Sequence, residues 1–288
     1  MKIIVAKDAG YCFGVRDAVN LAYDTARKHG EVYMLGHIVH NEKVVSDLEE
    51  AGARVVDSLD DVPAGKPVLF RAHGTTPALW QQAREKGIHI VDATCPLVTE
   101  IHEEFRKMEA EGRHLIIIGD HGHDEVVGIA SQVQHPIVIS TVGEARELGR
   151  MKKAGVVSQS TQMIENVQAI IAELMTKVFD LKFVNTICFP TRRNHEQIKQ
   201  LAEQCDVMIV IGSFTSANSK RLTQLALERN PRSYQVASAE EMNPAWFEGE
   251  VDTVGISAGA STPDDIIQSV IDRVKALGQV TEKEAVYE

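Results

Sequence analysis

Three short apolar runs of the chain end at a glycine that is followed by a polar loop. The runs read VYMLG, LIIIG and MIVIG, and a histidine or a serine stands four residues after each glycine. Short aliphatic runs bounded by turn signals are typical of buried parallel strands. Longer segments with apolar residues at three- and four-residue spacing alternate with these runs and predict amphipathic helices. This alternation predicts an α/β fold of parallel sheets with right-handed crossovers.

The same unit occurs three times, because a cysteine stands 24 residues before each glycine. The pairs are Cys12 and Gly36, Cys95 and Gly119, and Cys188 and Gly212. We predict strands 2–6, 88–93 and 181–187 before the cysteines, helices 14–28, 97–111 and 192–204 after them, and strands 31–35, 114–118 and 207–211 before the glycines. Such self-similarity indicates repeated structural units. We place them at 14–96, 97–188 and 189–270, with strand 1–13 packing on a later copy. Residues 271–288 would be a helix end and an acidic tail from Thr281.

Composition narrows the class of protein. Of the 288 residues, 44% are hydrophobic and only 5% aromatic, which predicts a soluble protein with an aliphatic core. The net charge of −11 without a basic cluster argues against nucleic acid as a partner. No apolar stretch reaches the roughly 18 residues of a membrane span, and the N-terminus has a strand pattern and no signal-peptide pattern. We therefore expect a cytoplasmic protein whose cysteines bind metal or catalyse, except Cys205, which we expect to be a small buried hydrophobe.

The repeated cysteines predict a metal centre. Each lies between the carboxyl end of a strand and the start of a helix, where ligand crevices form and where thiolates are stabilised. Three such loops would converge on one point. Thiolates suit zinc or an iron–sulfur cluster, but structural zinc normally has four ligands, often paired at short spacing, and no such pairs occur here. A [4Fe–4S] cluster held by three cysteines would leave one iron open to a substrate, and the alternative is a duplicated packing site with three buried cysteines.

Polar residues recur at equivalent loop tips around this centre. They are His40 and Asn41, then His123 and Glu125, then Ser216 and Asn218, with His73, Gln159, Ser160, Thr161 and Ser261 in the loops after further strands. Imidazole, hydroxyl and amide donors beside glycine-rich helix starts are typical of a diphosphate site. Arg71 and Lys220 are the only basic residues near the tips. We take Glu125 as the only acidic tip and as a proton donor, because electrons added to a substrate must be matched by protons.

The motifs GYCFGV, HNxxVV, AHG, DATCPLV, GHxEVxG, SQST, NTIC, SxNSxRL and AGASTPD together resemble the LytB/IspH family over residues 1–272. The resemblance implies a trefoil of three α/β domains around a [4Fe–4S] cluster held by Cys12, Cys95 and Cys188. It also implies an iron–sulfur oxidoreductase that removes the hydroxyl of 4-hydroxy-3-methylbut-2-enyl diphosphate, bound to the open iron, to give isopentenyl and dimethylallyl diphosphate. Ferredoxin or flavodoxin would supply the electrons.

The resemblance also assigns roles to individual residues. Glu125 matches the proton donor, with His123 beside it as a second catalytic residue. Substrate-binding positions are His40, His73, His123, Gln159, Ser160, Thr161, Ser216, Ala217, Asn218 and Ser261. Ser160 stands where the family usually has a threonine, and Ala217 where it commonly has a serine.

A larger departure follows Cys188, where Asn194 and His195 replace the family's Arg-Gln pair. An IspH-like reductase with a different substrate is therefore an alternative. A non-catalytic iron–sulfur sensor is another, but no partner-binding or DNA-binding element is visible in the sequence.

Overall fold

The computed structural model describes residues 1–278, so the acidic tail expected from Thr281 lies outside the described residues. Within these bounds the chain forms twelve strands and ten α-helices. The strands are β1 Lys2–Val5, β2 Val32–Leu35, β3 Ala53–Val56, β4 Pro67–Phe70, β5 His89–Asp92, β6 His114–Ile118, β7 Ile137–Ile139, β8 Met151–Ser158, β9 Val178–Phe183, β10 Val207–Ile211, β11 Ser233–Val236 and β12 Thr253–Ala258. The helices are α1 Phe13–His29, α2 Glu42–Glu50, α3 Pro77–Glu85, α4 Pro96–Ala110, α5 Asp124–Ala130, α6 Val142–Glu147, α7 Ile164–Met175, α8 Phe189–Gln204, α9 Ala217–Leu227 and α10 Asp264–Leu277.

The strands form three parallel sheets of four with the same internal order. The orders are β3-β2-β4-β5, β7-β6-β8-β9 and β11-β10-β12-β1. In each sheet, an edge strand leads into a cysteine and the strand before a repeated glycine lies second from the opposite edge. The N-terminal strand β1 is the edge strand of the third sheet, where it pairs with β12. The predicted α/β class with parallel sheets is confirmed.

The chain divides into two compact units. The first unit contains residues 1–15, 40–44 and, of the described chain, 189–278, and it holds the third sheet. The second unit contains residues 16–39 and 45–188, and it holds the other two sheets. No helix among residues 1–278 combines the length and the apolar character that crossing a bilayer requires.

The run LIII of β6 shows why the repeated strands are continuously apolar. Ile116 and Ile118 pack in one core cluster with residues of α7, whereas Leu115 and Ile117 pack in another with Phe105 and other residues of α4. Both faces of the strand are therefore covered, and no polar alternation is needed. Each fully buried side chain of this kind contributes about 1.5–3 kcal/mol to folding.

The largest difference from the predicted elements is at β9, which ends at Phe183 instead of reaching residue 187. The chain leaves the sheet because polar groups bind it locally: Asn185 Oδ1 accepts from the N–H of Ile187 at 3.2 Å, and Thr186 Oγ1 accepts from the N–H of Ser158 at 2.7 Å. Helix α8 begins at Phe189, earlier than predicted, because Pro190 fits the first turn of a helix.

Candidate active site

The three repeated cysteines occupy equivalent positions. Cys12 directly precedes α1, Cys95 is the N-cap of α4, and Cys188 directly precedes α8. All three are partly exposed, and no disulfide joins any of the chain's four cysteines, which all lie in the described part. A helix start favours the thiolate form that binds metals.

Each cysteine is fixed by the same backbone hydrogen bond. Its N–H donates to a carbonyl in the loop that follows the adjacent strand of its own sheet. The bonds run from Cys12 to Ala260 at 3.4 Å, from Cys95 to Ala72 at 3.0 Å, and from Cys188 to Ser160 at 3.0 Å. Because these loops also contain Ser261 and His73, every sheet places a cysteine beside a polar loop, and the spacing repeat has a structural counterpart.

Cys205 differs from the other three. It is 7% exposed in the aliphatic core, and burial, helped by the charge of Asp206, raises the pKa of its thiol to about 11. A thiol in such surroundings is inert towards metals and electrophiles. The prediction that Cys205 is a small buried hydrophobe is confirmed.

In the second unit, Glu125 and Ser160 form a buried pair. Glu125 is only 2% exposed, its Oε1 accepts from the N–H of Ser160 at 2.6 Å, and its Oε2 accepts from Ser160 Oγ at 2.8 Å. A buried carboxylate needs such donors, since each hydrogen bond to a charged group contributes about 1.5–3 kcal/mol. The pair fixes both oxygens of Glu125 and connects them to a hydroxyl that can both accept and donate a proton.

Two histidines lie beside each other in the same unit. The rings of His73 and His123 are 5.8 Å apart and nearly perpendicular. His123 caps α5, and its Nδ1 accepts from the N–H of Glu125 at 3.1 Å, which leaves Nε2 as the donor of the neutral ring. An ion pair of 2.6 Å between Arg71 and Asp124 joins the two loops, so the charge of Arg71 is balanced within the protein.

Gln159 is engaged within the second unit. Its Oε1 accepts from the N–H of Asp120 at 3.0 Å, and its Nε2 donates to Thr161 Oγ1 at 3.2 Å. The side chain is fully buried. Gln159 therefore ties the loop after β6 to the loop after β8, and Thr161 lies beside it.

The sequence analysis did not identify His102, because this residue lies on α4 and outside the equivalent loop tips. An added Cβ at Gly74, whose φ is +85°, would lie 2.8 Å from its Cε1, so the turn after His73 requires glycine there. Burial, with a smaller contribution from Arg106, lowers the pKa of His102 to about 4. No other group in the described chain accepts or donates a hydrogen bond at its buried Nε2.

In the first unit, the start of α9 offers several donors. Ser216 is the N-cap, and its Oγ accepts from the N–H of Ser219 at 3.3 Å. Asn218 is 6% exposed, and both of its side-chain amide atoms are buried without a hydrogen-bond partner among residues 1–278. An unsatisfied buried amide is costly, so this arrangement fits a polar ligand. Ala217 brings a backbone N–H of the first turn, where intrahelical acceptors are lacking.

The segment 40–44 belongs to the same unit. Ser261 Oγ donates to the carbonyl of His40 at 3.2 Å, and Asn41 Oδ1 accepts from the N–H of Val44 at 3.2 Å. Glu42 stands six residues after its glycine, as Glu125 does, so taking Glu125 as the only acidic tip was wrong. The Oε1 of Glu42 accepts from the hydroxyls of Ser213 and Thr215, each at 2.9 Å. These bonds tie the segment 40–44 to the loop after β10.

The comparisons with known proteins decide the family. The sequence matches the LytB protein family over residues 3–275. The chain belongs to the LytB family. A 4-hydroxy-3-methylbut-2-enyl diphosphate reductase of Geobacter metallireducens is 41% identical over 278 residues, which cover 96% of this chain and 98% of the relative.

Two solved structures of diphosphate reductases are similar to this chain. A structure of (E)-4-hydroxy-3-methyl-but-2-enyl diphosphate reductase, described as the terminal enzyme of the non-mevalonate pathway, matches with a TM-score of 0.70 and 38% identity, covering 96% of this chain and 99% of that one. The E-1-hydroxy-2-methyl-but-2-enyl-4-diphosphate reductase of Plasmodium falciparum matches with a TM-score of 0.93 and 26% identity, covering 99% and 92%. The resemblance found in the sequence is confirmed.

The departure from the LytB pattern after Cys188 has a structural counterpart. Asn194 is 3% exposed, its Nδ2 donates to the carbonyl of Ala258 at 3.1 Å, and its Oδ1 accepts from Ser257 Oγ at 3.2 Å. His195 beside it is equally buried. Asn194 thus fastens α8 to the end of β12, directly before the loop that carries Ser261. Asn194 and Ser257 are 63 residues apart in the sequence, and no local signal pairs them.

Proposed function

We propose that this chain is a 4-hydroxy-3-methylbut-2-enyl diphosphate reductase, the terminal enzyme of the non-mevalonate route to isoprenoids. The reaction takes up two electrons and two protons, breaks the allylic C–O bond, releases water, and yields isopentenyl and dimethylallyl diphosphate. The observation that carries the proposal is the buried Glu125–Ser160 pair. The carbonyl of Ser160 also accepts a hydrogen bond from the N–H of Cys188. A proton-carrying pair is thereby attached to one of three equivalent cysteines. Curated relatives that match nearly the whole chain bear the same name.

We assign Cys12, Cys95 and Cys188 as the ligands of a [4Fe–4S] cluster. Their equivalent helix-start positions and their partial exposure support this assignment, and the buried Cys205 with its raised thiol pKa is unsuited to be a fourth ligand. When bound, such a cluster supplies electrons and, at an iron without a cysteine, Lewis-acid chemistry towards the hydroxyl.

The protons are assigned to Glu125 and Ser160. A carboxylic acid positioned at the leaving hydroxyl converts it into water, which is a better leaving group than hydroxide. Ser160 Oγ, 2.8 Å from Glu125 Oε2, can receive a proton from the acid and donate its own, because a hydroxyl does both. His123 is held by its cap bond to the N–H of Glu125 and presents Nε2 as a further donor.

We assign the binding of the diphosphate to histidine, hydroxyl and amide side chains. Asn218 has a buried, unsatisfied amide that an anion could use, Ser216 caps α9, and the first turn of α9 adds backbone N–H groups. Ser261 is assigned from the family pattern. His40 and His73 follow from the family pattern. Ala217 lacks the hydroxyl that the family commonly has, and one hydrogen bond to a charged phosphate is worth about 1.5–3 kcal/mol. Such a loss weakens binding without abolishing it.

The electrons come from a low-potential carrier protein, for which ferredoxin and flavodoxin are the candidates, and the enzyme works in the cytoplasm. The chain has no GxGxxG fingerprint after a strand for a nicotinamide or a flavin of its own. An external carrier is therefore part of the proposed function.

Anaerobic turnover with a reduced viologen tests this function. The diphosphate substrate should oxidise the viologen rapidly, and its unphosphorylated alcohol should do so at least a hundredfold more slowly at equal concentration. Turnover of neither compound by enzyme with full iron and sulfide content would reject the assignment and favour a LytB-family reductase with another substrate. Equal turnover of both would reject the assigned diphosphate donors.

A further inference from the structure

Two exposed phenylalanines stack on each other at the surface of the first unit. The rings of Phe13 and Phe189 are 5.6 Å apart with an interplanar angle of 9°, and the residues are 38% and 47% exposed. Exposed large apolar groups that are grouped together mark interaction sites more often than isolated ones do. The core does not explain this pair, because α8 buries Ile198 and Leu201 instead.

The position of the pair along the chain is informative. Phe13 directly follows Cys12, and Phe189 directly follows Cys188. Each ring is therefore one residue away from a proposed cluster ligand. An apolar, solvent-facing contact at this distance suits the entry of electrons, which must come from a carrier that approaches the cluster closely.

Exposed charged residues of the first unit flank the rings in the sequence, and the basic ones outnumber the acidic one. Arg192 and Arg193 are exposed near the start of α8, Lys7 is exposed in the loop before Cys12, and Glu196 is the exposed acid further along α8. Asp8, the neighbour of Lys7, pairs with Arg193 at 3.0 Å, which fastens this loop to α8 and balances one of the two arginines. Arg192 and Lys7 leave a local positive charge on a protein of net charge −11. Such a local charge steers an acidic partner despite the overall repulsion.

We propose that Phe13, Phe189, Arg192 and Lys7, hereafter the Phe13–Phe189 patch, form the docking surface for a flavodoxin. This inference rests on the proposed function. Flavodoxins are acidic and hold FMN with the apolar edge of its ring system at the surface, so a flat pair of exposed phenyl rings, with Arg192 and Lys7 near it in the sequence, complements them in apolar character and in charge. Reduced FMN gives up one electron per docking, so two dockings supply the two electrons that match the two protons and release the hydroxyl as water. Small, weak interfaces are usual for redox partners, and they allow this exchange.

The test separates carrier-driven from carrier-independent turnover. We would compare wild type, the Phe13→Ala/Phe189→Ala double variant, and Arg192→Glu, each checked for iron and sulfide content. Phe179→Ala is the matched control, because Phe179 is 91% exposed on β9 but lies nine residues before Cys188 and belongs to the second unit, outside the patch. With a reduced viologen, all variants should turn over within twofold of wild type.

With reduced flavodoxin, the KM for the carrier should rise at least tenfold in the double variant and about fivefold in Arg192→Glu, since buried aromatic anchors and rim charges have effects of this order. The Kd for oxidised flavodoxin, measured by calorimetry, should rise in parallel, and Phe179→Ala should change neither quantity. Unchanged KM and Kd in both patch variants would overturn the proposal. Loss of affinity for a plant-type [2Fe–2S] ferredoxin but not for flavodoxin would overturn the choice of carrier. Absence of viologen turnover in wild type would instead reject the proposed function itself.

Discussion

Replacing Ser160 with alanine is the sharpest test of the proposed proton path. The change removes a hydroxyl that lies 2.8 Å from Glu125 Oε2, while the N–H of residue 160 still donates to Oε1 at 2.6 Å. Glu125 is 2% exposed, so bulk water has little access to the place of the lost donor. One hydrogen bond to a buried charged group is worth about 1.5–3 kcal/mol. If the transition state uses this hydroxyl, that range corresponds to a fall in kcat of about 10-fold to 150-fold.

The assay is anaerobic viologen oxidation at saturating diphosphate substrate, with kcat and KM determined separately. Ser160→Thr is the matched control, because it keeps the hydroxyl and matches the residue usual in the family. We expect it to retain kcat within about threefold. Iron content and urea midpoint, measured on the same samples, separate a catalytic loss from a loss of cluster or stability. A Ser160→Ala enzyme with full cluster content and a kcat within twofold of wild type would refute the proton path.

Four further predictions test the site and its support. Cys12→Ser should lose cluster iron and sulfide, whereas Cys205→Ser should keep both, and unchanged iron in the Cys12 variant would contradict the ligand assignment. Glu125→Gln should retain the cluster and substrate affinity but lose most turnover, so normal turnover would remove Glu125 as proton donor. His102 has a pKa of about 4 in the folded protein and about 6.5 in the unfolded chain, which takes up the proton first as the pH falls. The free energy of unfolding should therefore drop by about 3 kcal/mol between pH 6.5 and 4 through this residue, and urea titrations of His102→Leu should lack that part of the slope. Asn194→Ala leaves the carbonyl of Ala258 and the hydroxyl of Ser257 without their hydrogen-bond partner. The urea midpoint should therefore fall by the equivalent of about 1–3 kcal/mol. An unchanged midpoint would show that these hydrogen bonds do not contribute to stability.

The sequence predicted central strands better than edge strands, for a physical reason. The runs of β6 and β10 are buried on both faces, so every residue except the exposed His114 is apolar and the bounds are sharp: both strands were predicted at 114–118 and 207–211, as observed. The edge strand β9 has one side open to solvent, and Phe179 on it is 91% exposed. Its pattern is mixed, and the hydrogen bonds of Asn185 and Thr186 that end it connect residues that no periodicity distinguishes.

The motifs identified the candidate site residues but not their partners. Glu125 and Ser160 are 35 residues apart, and Ser261 and His40 are 221 apart, so both hydrogen bonds depend on how strands are ordered in a sheet or a unit. A residue type shows what a side chain can donate or accept, whereas its partner is fixed by the fold. Gln159 illustrates the difference, because its amide is already engaged by neighbouring loops.

The threefold repeat is compatible with a reaction whose substrate has no threefold symmetry, because the backbone repeats and the side chains do not. The backbone bond that fixes each cysteine involves only N–H and C=O groups, so it is preserved whatever side chains the loops carry. The position six residues after each repeated glycine is Glu42, Glu125 or Asn218. Glu42 accepts hydrogen bonds from hydroxyl groups of its own unit, and Glu125 is buried and accepts a hydrogen bond from Ser160. Asn218 has a side-chain amide without a hydrogen-bond partner among residues 1–278. Three equivalent cysteines that serve as the proposed ligands require the same backbone, while a substrate with a diphosphate at one end and a hydroxyl at the other requires different side chains. Equivalent loops with unequal tips satisfy both requirements.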